Sequence, residues 1–320
     1  MLDTALASAI CVLLWIAAVP GQAPQTRSSA PEAPASVQSR ESSPASRHAV
    51  APRPSVEHDV TYCQPDHAEL KLDLYRQHAP DGQPLPVILF VHGGAWHAGD
   101  KAVAVHTFAM PELMKRGYAV ASINYRPMPG YGFPAQIEDV KCAVRFLRAQ
   151  ASRRQLSSDH IGALGTSAGG HLVALLGMAD AAAGLEGTGG WPEQSSRVQA
   201  VVDLYGMTDL VVPPIGAVGR TAHARALFGD EQTRKRASPV MYVSGQSPPF
   251  LIVHGEDDHV VPLSQSQDLH DRLTAAGALS TLVIVRHAGH NLRASGQAIS
   301  PPLDALARII ADFFDGTLKR

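Results

Sequence analysis

Hydrophobic and polar positions follow two different patterns along this chain, and together they predict strands separated by helices. The segment Ala68 to Leu74 alternates with a period of two, which is typical of an antiparallel strand with one face in water and predicts a hairpin at a sheet edge. Later apolar runs lack this alternation and are typical of parallel strands buried on both faces. These runs are Pro86 to Val91, Tyr118 to Ile123, His160 to Leu164, Val198 to Leu204, Phe250 to Val253 and Thr281 to Val285.

Helical patterns lie between the apolar runs. One apolar stripe recurs with the spacing of a helix face, and its members are Ile137, Val140, Val144 and Leu147. A second helix is predicted near Ser264, because Ser264 and Gln267 have the spacing of a capping box ahead of Leu269 and Leu273. Strands that alternate with helices predict a doubly wound α/β fold with a mostly parallel sheet and an antiparallel N-terminal edge hairpin.

The first 56 residues differ in composition from the rest of the chain. Residues 5–19 form an apolar run of 15 residues, shorter than the ~20 residues of a spanning helix but typical of a signal-peptide core. Small residues at Gly21 and Ala23 suit cleavage, although only the α-amino group supplies positive charge before the run. We therefore expect a signal peptide over 1–23 and a secreted or periplasmic protein; an uncleaved anchor and a misplaced start codon remain alternatives.

A linker is predicted to follow over 24–56. Proline, serine and alanine make up 20 of the 32 residues from 24 to 55, and such a stretch buries too little apolar surface to offset the entropy of ordering it. The remaining 57–320 has the length of one α/β domain. We expect no stable membrane insertion, and the oligomeric state stays open.

Charge and cysteine content exclude several classes of function. The net charge of −2, from 27 basic and 29 acidic residues, provides no field for binding nucleic acid. Three cysteines without CxxC spacing make neither a disulfide scaffold nor a thiolate zinc site. Cys142 falls in the predicted helical stripe and is expected to be a buried free thiol; a Cys63–Cys142 bridge is the less favoured alternative. The 15 histidines show no metal-binding spacing, so we expect no metal and no cofactor.

The segment Gly165-Thr166-Ser167-Ala168-Gly169 carries the strongest chemical signal. It matches GxSxG, and it lies directly after a buried strand and before a helical run, as a nucleophile elbow requires. The two glycines let neighbouring backbones approach while the strained turn exposes the Ser167 hydroxyl. Ser167 is therefore the predicted nucleophile, and a glycine-rich turn with a chance serine is the disfavoured alternative.

A serine nucleophile needs a base and an orienting acid, which in such folds follow it in the order acid, then histidine. Asp258 lies just past a buried strand and is the preferred acid; the alternatives are Asp257, Asp203 and Asp209. His290 is the preferred base because the neighbouring Gly289 permits a close approach, and His287 is its alternative.

The loop after an earlier strand reads His92-Gly93-Gly94-Ala95-Trp96 and predicts an oxyanion hole. Its backbone N–H groups at Gly93 and Gly94, together with that of Ala168, are expected to bind the developing negative charge. Trp96 is predicted to line the acyl pocket, with packing against the loop as an equal alternative.

These motifs together carry a resemblance to a known family. The quoted loop with Gly99-Asp100-Lys101, then Asn124-Tyr125-Arg126, the elbow with Gly170-His171, and His254-Gly255 through Val261-Pro262 resemble the feruloyl and acetylxylan esterase-like carboxylesterases of the α/β-hydrolase fold. The resemblance covers roughly Val60 to Phe314. It implies a Ser167, Asp258, His290 triad and hydrolysis of small acyl esters without a cofactor. Asn291 and Arg286-His287 depart from the family pattern, which affects the pocket mouth rather than the triad.

Two glycine-rich segments, 179–197 and 213–228, are predicted insertions, and one or both are expected to cap the site. Substrate identity stays open, because acetylated or feruloylated polysaccharide, lipid and small esters all suit this chemistry. An amidase or peptidase-type acyl hydrolase is the first alternative function. A non-catalytic binding module is less favoured because no triad member is missing.

Overall fold

The computed structural model describes residues 55–77, 82–211 and 227–319. The predicted signal peptide, 1–23, lies outside these residues, as does the predicted linker, 24–56, apart from its last two positions. The strands are β1 Ser55–Cys63, β2 Leu70–Arg76, β3 Leu85–Val91, β4 Ala119–Ile123, β5 Leu156–Thr166, β6 Ala200–Leu204, β7 Phe250–Gly255 and β8 Ser280–Val285. The α-helices within the same ranges are α1 Met110–Lys115, α2 Ala135–Ala149, α3 Ala151–Arg154, α4 Ala168–Met178, α5 Glu231–Ala237, α6 Leu263–Ala275 and α7 Leu303–Leu318.

One sheet runs through the described residues with the strand order β1-β2-β4-β3-β5-β6-β7-β8. The pairs β1/β2 and β2/β4 are antiparallel, and every later pair is parallel. The predicted fold class is confirmed: a doubly wound, mostly parallel sheet with an antiparallel hairpin at its N-terminal edge. Because the parallel strands all end at the same sheet edge, the loops after β3, β5, β7 and β8 meet there.

Helices cover both faces of this sheet. The apolar sides of α2, α4 and α6 pack on one face, and those of α1 and α7 pack on the other. Strands β4, β6 and β7 are buried along their whole length, as their unbroken apolar runs predict. The prediction of two-sided burial is wrong for β8, where Ile284 is exposed, because β8 is the last strand of the sheet and has a neighbour on one side only. Of the helices in the described ranges, none has both the length and the apolarity to cross a bilayer.

The predicted capping box at Ser264 is wrong. Helix α6 begins at Leu263 with Pro262 at its cap position, and Ser264 is exposed in the first turn. Proline suits a helix start because its φ is already helical and its missing N–H would have no partner there. The next two side chains turn inward instead: Gln265 accepts from the Thr208 N–H at 2.8 Å, and Ser266 is fully buried.

Cys63 and Cys142 are joined in a disulfide, so the expectation of a free thiol at Cys142 is wrong. Cys63 is the last residue of β1, and Cys142 lies in the middle of α2 with its Cα 6.4 Å from that of Cys63. The helical pattern around Cys142 is correct, but it could not show that the end of the edge strand passes over that point of the helix.

We expect loss of this disulfide to destabilise the fold substantially. The bridge closes a loop across a sequence separation of 79, which restricts the unfolded chain, and removing such a cross-link costs about 2 to 5 kcal/mol. Urea unfolding of the oxidised wild type and of a Cys63→Ser/Cys142→Ser variant measures the difference. Reductant should lower the wild-type midpoint to that of the variant and leave the variant unchanged; equal midpoints without reductant would contradict the prediction.

Candidate active site

Ser167 lies at a sharp turn between β5 and α4. Its φ and ψ are 54° and −115°, a strained combination for a residue with a side chain. The turn is held from below by the Ser167 N–H, which donates to the Leu204 carbonyl at 2.9 Å. This is the geometry of the predicted nucleophile elbow, and it raises the hydroxyl above the carboxyl edge of the sheet.

The glycines of the elbow are required by crowding. A Cβ on Gly165 would collide with the Gly169 carbonyl, and a Cβ on Gly169 would collide with the carbonyl groups of Val91 and His92. Gly169 therefore lets α4 start against the end of β3, which carries the predicted oxyanion loop. The sequence predicted this role for both positions.

We expect Gly169→Ala to lower the free energy of unfolding by about 3 kcal/mol, since its methyl group meets rigid backbone rather than a movable side chain. Any turnover that depends on Ser167 should fall with it, because the added methyl group pushes the β3 loop away from Ser167. Gly132→Ala is the matched control, as a Cβ there has nothing within 4 Å. Thermal and urea unfolding of both variants measure the two changes in stability. Equal stability of the two variants would contradict the prediction, because it would show that the elbow backbone accommodates the added methyl group.

Ser167, His290 and Asp258 form a continuous hydrogen-bonded chain. His290 Nε2 lies 3.0 Å from Ser167 Oγ, and His290 Nδ1 lies 2.7 Å from Asp258 Oδ2. Asp258 follows β7, and His290 follows β8 in a short 3₁₀ turn, His290–Leu292. The carboxylate accepts the Nδ1 proton, which leaves Nε2 unprotonated and able to accept the serine proton.

The alternative acids have other partners. Asp257 accepts from the Ser295 hydroxyl, and Asp209 accepts from the Val211 N–H at 2.7 Å. Asp203 is fully buried beneath the elbow, where it accepts from the Gly206 N–H at 2.9 Å. Burial raises the pKa of Asp203 to about 6, against a smaller lowering effect of His254 and the Gly206 N–H.

The histidine loop is positioned by a glycine other than the one the sequence indicated. A Cβ on Gly289 would make only ordinary contacts, at 3.6 Å or more. The close approach is at Gly255, at the end of β7, where a Cβ would collide with the Ala288 carbonyl. His290 rather than His287 reaches the serine; the backbone of His287 instead pairs with that of Ser295 across the loop.

Asp258 is almost fully buried, and its carboxylate is nevertheless held in the charged form. Burial acts to raise its pKa, but hydrogen bonds from His254, His290 and the Val261 N–H outweigh that effect and hold the pKa far below its usual range. Sequence reasoning missed His254 as a site residue, although it lies in the same segment, four residues before Asp258. Its Nε2 lies 3.3 Å from Asp258 Oδ2.

The predicted oxyanion loop leaves β3 through three consecutive residues with positive φ: Gly94, Ala95 and Trp96, at 119°, 51° and 61°. This backbone is strained at Ala95 and Trp96, which carry side chains, and not at the glycine. The Gly93 N–H was expected to bind the oxyanion. It instead donates to Thr166 Oγ1 at 3.0 Å and so already has an acceptor within the protein. Ala168 is the first residue of α4, where an N–H has no partner within the helix and the helix dipole favours negative charge. The oxyanion roles of Gly94 and Ala168 stay predictions.

Trp96 is packed inside the molecule. It is 1% exposed, its N–H donates to His171 Nδ1 at 3.2 Å, and its ring meets Phe228 edge-on at 4.9 Å. Burial lowers the pKa of His171 to about 4, so the ring is neutral at physiological pH and can accept this bond. The pair joins the oxyanion loop to α4, which matches the packing alternative; contact between Trp96 and substrate stays a prediction.

The two predicted insertions have different outcomes. Segment 179–197 is fastened to α2: Lys141 donates to the Ala179 carbonyl at 2.7 Å and pairs with Glu186 at 2.6 Å. Together with the segments before β6 and β7 it lines a cavity of about 1070 Å³, at the amino edge of the sheet and so away from Ser167. The second segment, 213–228, lies outside the described residues except for its last two.

Comparison with known proteins adds to this geometry. The BD-FAE family model matches residues 72–273. Esterase LipC of Mycobacterium tuberculosis is 34% identical over 66% of this chain and 53% of its own, so the chain spans about half the length of that relative. A truncated form of a carbohydrate esterase from gut microbiota superposes with a TM-score of 0.73 at 30% identity, covering 84% of this chain and 98% of the other. A bifunctional GH43-CE protein of Bacteroides eggerthii gives a TM-score of 0.70 at 32% identity, over 82% of this chain and 38% of the other.

Proposed function

This chain belongs to the BD-FAE family and has the α/β-hydrolase fold, and on that basis we propose that it is a serine carboxylesterase that cleaves small acyl, acetyl-like esters through an acyl-enzyme intermediate. The observation that carries the proposal is the hydrogen-bonded chain from Ser167 through His290 to Asp258. Relatives and structural neighbours with esterase names support the same reaction class.

The geometry fits each step of ester hydrolysis. His290 Nε2 accepts the proton of Ser167 Oγ as the oxygen attacks the ester carbonyl carbon, and Asp258 stabilises the imidazolium that results. Backbone N–H groups at the start of α4 and in the β3 loop stabilise the oxyanion. His290 then returns the proton to the leaving alcohol. In the second half, His290 removes a proton from water, which attacks the acyl-enzyme and releases the acid.

The substrate is proposed to be a small-molecule or carbohydrate-linked ester. Two neighbours above 25% identity carry carbohydrate-esterase or GH43-CE names, which supports sugar-linked esters for this chain. Amide hydrolysis uses the same groups, but none of the relatives described above is named for it. A binding module without catalysis is not favoured, since the serine, histidine and acid are all present and connected.

The test is hydrolysis of p-nitrophenyl esters from acetyl through decanoyl, followed by acetate release from acetylated xylo-oligosaccharides. We expect kcat/KM to be highest for acetyl and to fall with chain length. Ser167→Ala protein, carried through the same purification, gives the background. Inactive wild-type protein on every ester would overturn the proposal, and activity on p-nitroanilides alone would move it to the amidase alternative.

We also propose that the protein is secreted or periplasmic after removal of a signal peptide. The apolar run at 5–19 supports this, and so does the Cys63–Cys142 disulfide, because such bonds form and persist mainly in oxidising compartments. Intact-mass measurement of protein from the native host should give a mature chain that begins shortly after Ala23. A full-length chain in the cytoplasmic fraction would contradict this.

A further inference from the structure

We propose that His254 is a positioning residue of the catalytic triad. It holds the Asp258 carboxylate in place by donating to Oδ2, the same carboxylate oxygen that accepts from His290. This inference rests on the proposed esterase function for its kinetic consequences, but the contacts themselves stand apart from it. His254 belongs to β7 and is fully buried, whereas Asp258 lies in the turn four residues later.

The partners of His254 fix which of its nitrogens carries the proton. Nε2 lies 2.9 Å from the Val261 carbonyl oxygen, which can only accept, so Nε2 carries the hydrogen. In a neutral ring Nδ1 is then an acceptor, and the Ser266 hydroxyl at 2.7 Å donates to it. The Val261 carbonyl therefore fixes the tautomer, and Ser266, which is buried in α6, supplies the donor for the unprotonated Nδ1.

The Nε2 hydrogen is consequently shared between the Val261 carbonyl and Asp258 Oδ2, which is 3.3 Å away. Oδ2 is also the oxygen that faces His290 Nδ1 at 2.7 Å. The other oxygen, Oδ1, accepts from the N–H groups of Val260 and Val261 at 2.8 and 2.9 Å. The carboxylate thus has donors on both oxygens, and His254 is its one buried side-chain donor besides His290 within the described residues.

Other titratable groups surround this pair. Tyr205, after β6, packs its ring edge-on against His290 with centroids 5.1 Å apart. Asp203, in β6, is fully buried, and the electrostatic effect of His254 acts to lower the pKa of Asp203. Tyr205 is neutral at physiological pH, since burial first and then the charges of Asp258 and Asp203 raise its pKa. Because burial raises the pKa of Asp203 to about 6, its titration falls within the pH range of the experiment, which therefore needs to control for it.

Removing the His254 donor should change the pH dependence of kcat/KM in one direction. The carboxylate charge is then shared among fewer donors, so it interacts more strongly with the imidazolium form of His290. The neutral form that acts as base is correspondingly less populated at a given pH. The acidic limb of the kcat/KM profile should therefore move to higher pH, and the turnover at neutral pH should fall because the carboxylate is also less well oriented.

The test compares His254→Met, which removes the donor at similar volume, with His254→Gln, whose amide N–H can reach the position of Nε2. Ser266→Ala is a third variant, which removes the hydrogen bond to Nδ1 and so loosens the His254 ring without emptying the site. We expect the acidic limb of the His254→Met profile to move up by about 0.5 to 1 pH unit, because the variant loses part of one charged hydrogen bond to the carboxylate. Its kcat/KM should fall about tenfold or more. His254→Gln should keep the wild-type limb, and Ser266→Ala should show a smaller shift in the same direction.

Titration of the His290 imidazole by NMR on full-length, 15N-histidine-labelled protein gives a readout that does not depend on turnover. A shifted midpoint in an otherwise inactive protein would support the positioning role while removing the proposed function. The same shift between Asp203→Asn and Asp203→Asn/His254→Met would exclude Asp203 as its source. Unmoved midpoints in both His254→Met and Ser266→Ala, or a shift that needs Asp203, would overturn the inference; if His254→Met does not fold, Ser266→Ala alone decides.

Discussion

Replacing Ser167 with alanine is expected to lower kcat/KM for p-nitrophenyl acetate by about 10⁴-fold or more, a loss of about 5.5 kcal/mol of transition-state stabilisation. The hydroxyl is the atom that forms the acyl-enzyme, and His290 has no other nucleophile within its hydrogen-bonding distance in the described structure. The remaining oxyanion donors can still bind a tetrahedral intermediate, so a small residual rate above that in water is expected.

The chain offers a matched control for this substitution. Ser157 Oγ lies 2.8 Å from His160 Nδ1, which is a second serine–histidine pair, but it lies near the start of β5 rather than beyond its end. Ser157→Ala should therefore leave kcat/KM within about twofold. Circular dichroism checks that both variants fold. Labelling with a fluorophosphonate checks that Ser167 is the residue that reacts. More than about 1% residual activity in Ser167→Ala would show that another group attacks the ester.

Replacing Asp258 with asparagine is expected to lower kcat by about 10³- to 10⁴-fold while leaving the fold intact. The reason lies in the donors around the carboxylate. The two backbone N–H groups at Oδ1 select the amide oxygen for that side, so the NH₂ group replaces Oδ2 and faces His290. To avoid two donors facing each other, His290 must place its proton on Nε2, and it then cannot accept the proton of Ser167.

Asp257→Asn is the control for this second prediction. Asp257 is the adjacent acid, but its carboxylate accepts from the exposed Ser295, whereas the carboxylate that faces His290 is that of Asp258. We expect its kcat within about threefold of wild type. Equal losses in the two variants would mean that the turn after β7 matters only as a whole, and a near-normal Asp258→Asn enzyme would assign the acid role to another residue.

The sequence predicted the sheet well because strand burial depends on local pattern, and the residues it proposed for the triad lie in one hydrogen-bonded chain. Unbroken apolar runs identified six of the strands near their observed bounds, and an alternating run identified β2. The segments after β5, β7 and β8 pointed to Ser167, Asp258 and His290. Parallel strands bring their carboxyl ends to one edge, so residues far apart in sequence, such as Asp258 and His290 at a separation of 32, could be assigned to one site.

Predictions failed where the partner comes from another element. The helical stripe around Cys142 could not show that β1 ends above it, and Thr166 took the Gly93 N–H that the loop pattern assigned to substrate. The exposed positions of β8 result from its being last in the sheet, which strand order decides and local sequence does not.

The sequence by itself therefore determined the strands and the candidate residues at their ends, which are the elbow serine, the late acid and the late histidine. Only the tertiary structure decided how these residues are held. Asp258 keeps its charge in a buried place because β7 brings His254 to it and the loop after β8 brings His290. Ser266 of α6 in turn holds His254, and no spacing within one segment records that contact. The physical reason is that hydrogen bonds between buried groups depend on the packing of separate elements, whereas strand burial and turn strain depend on the segment itself.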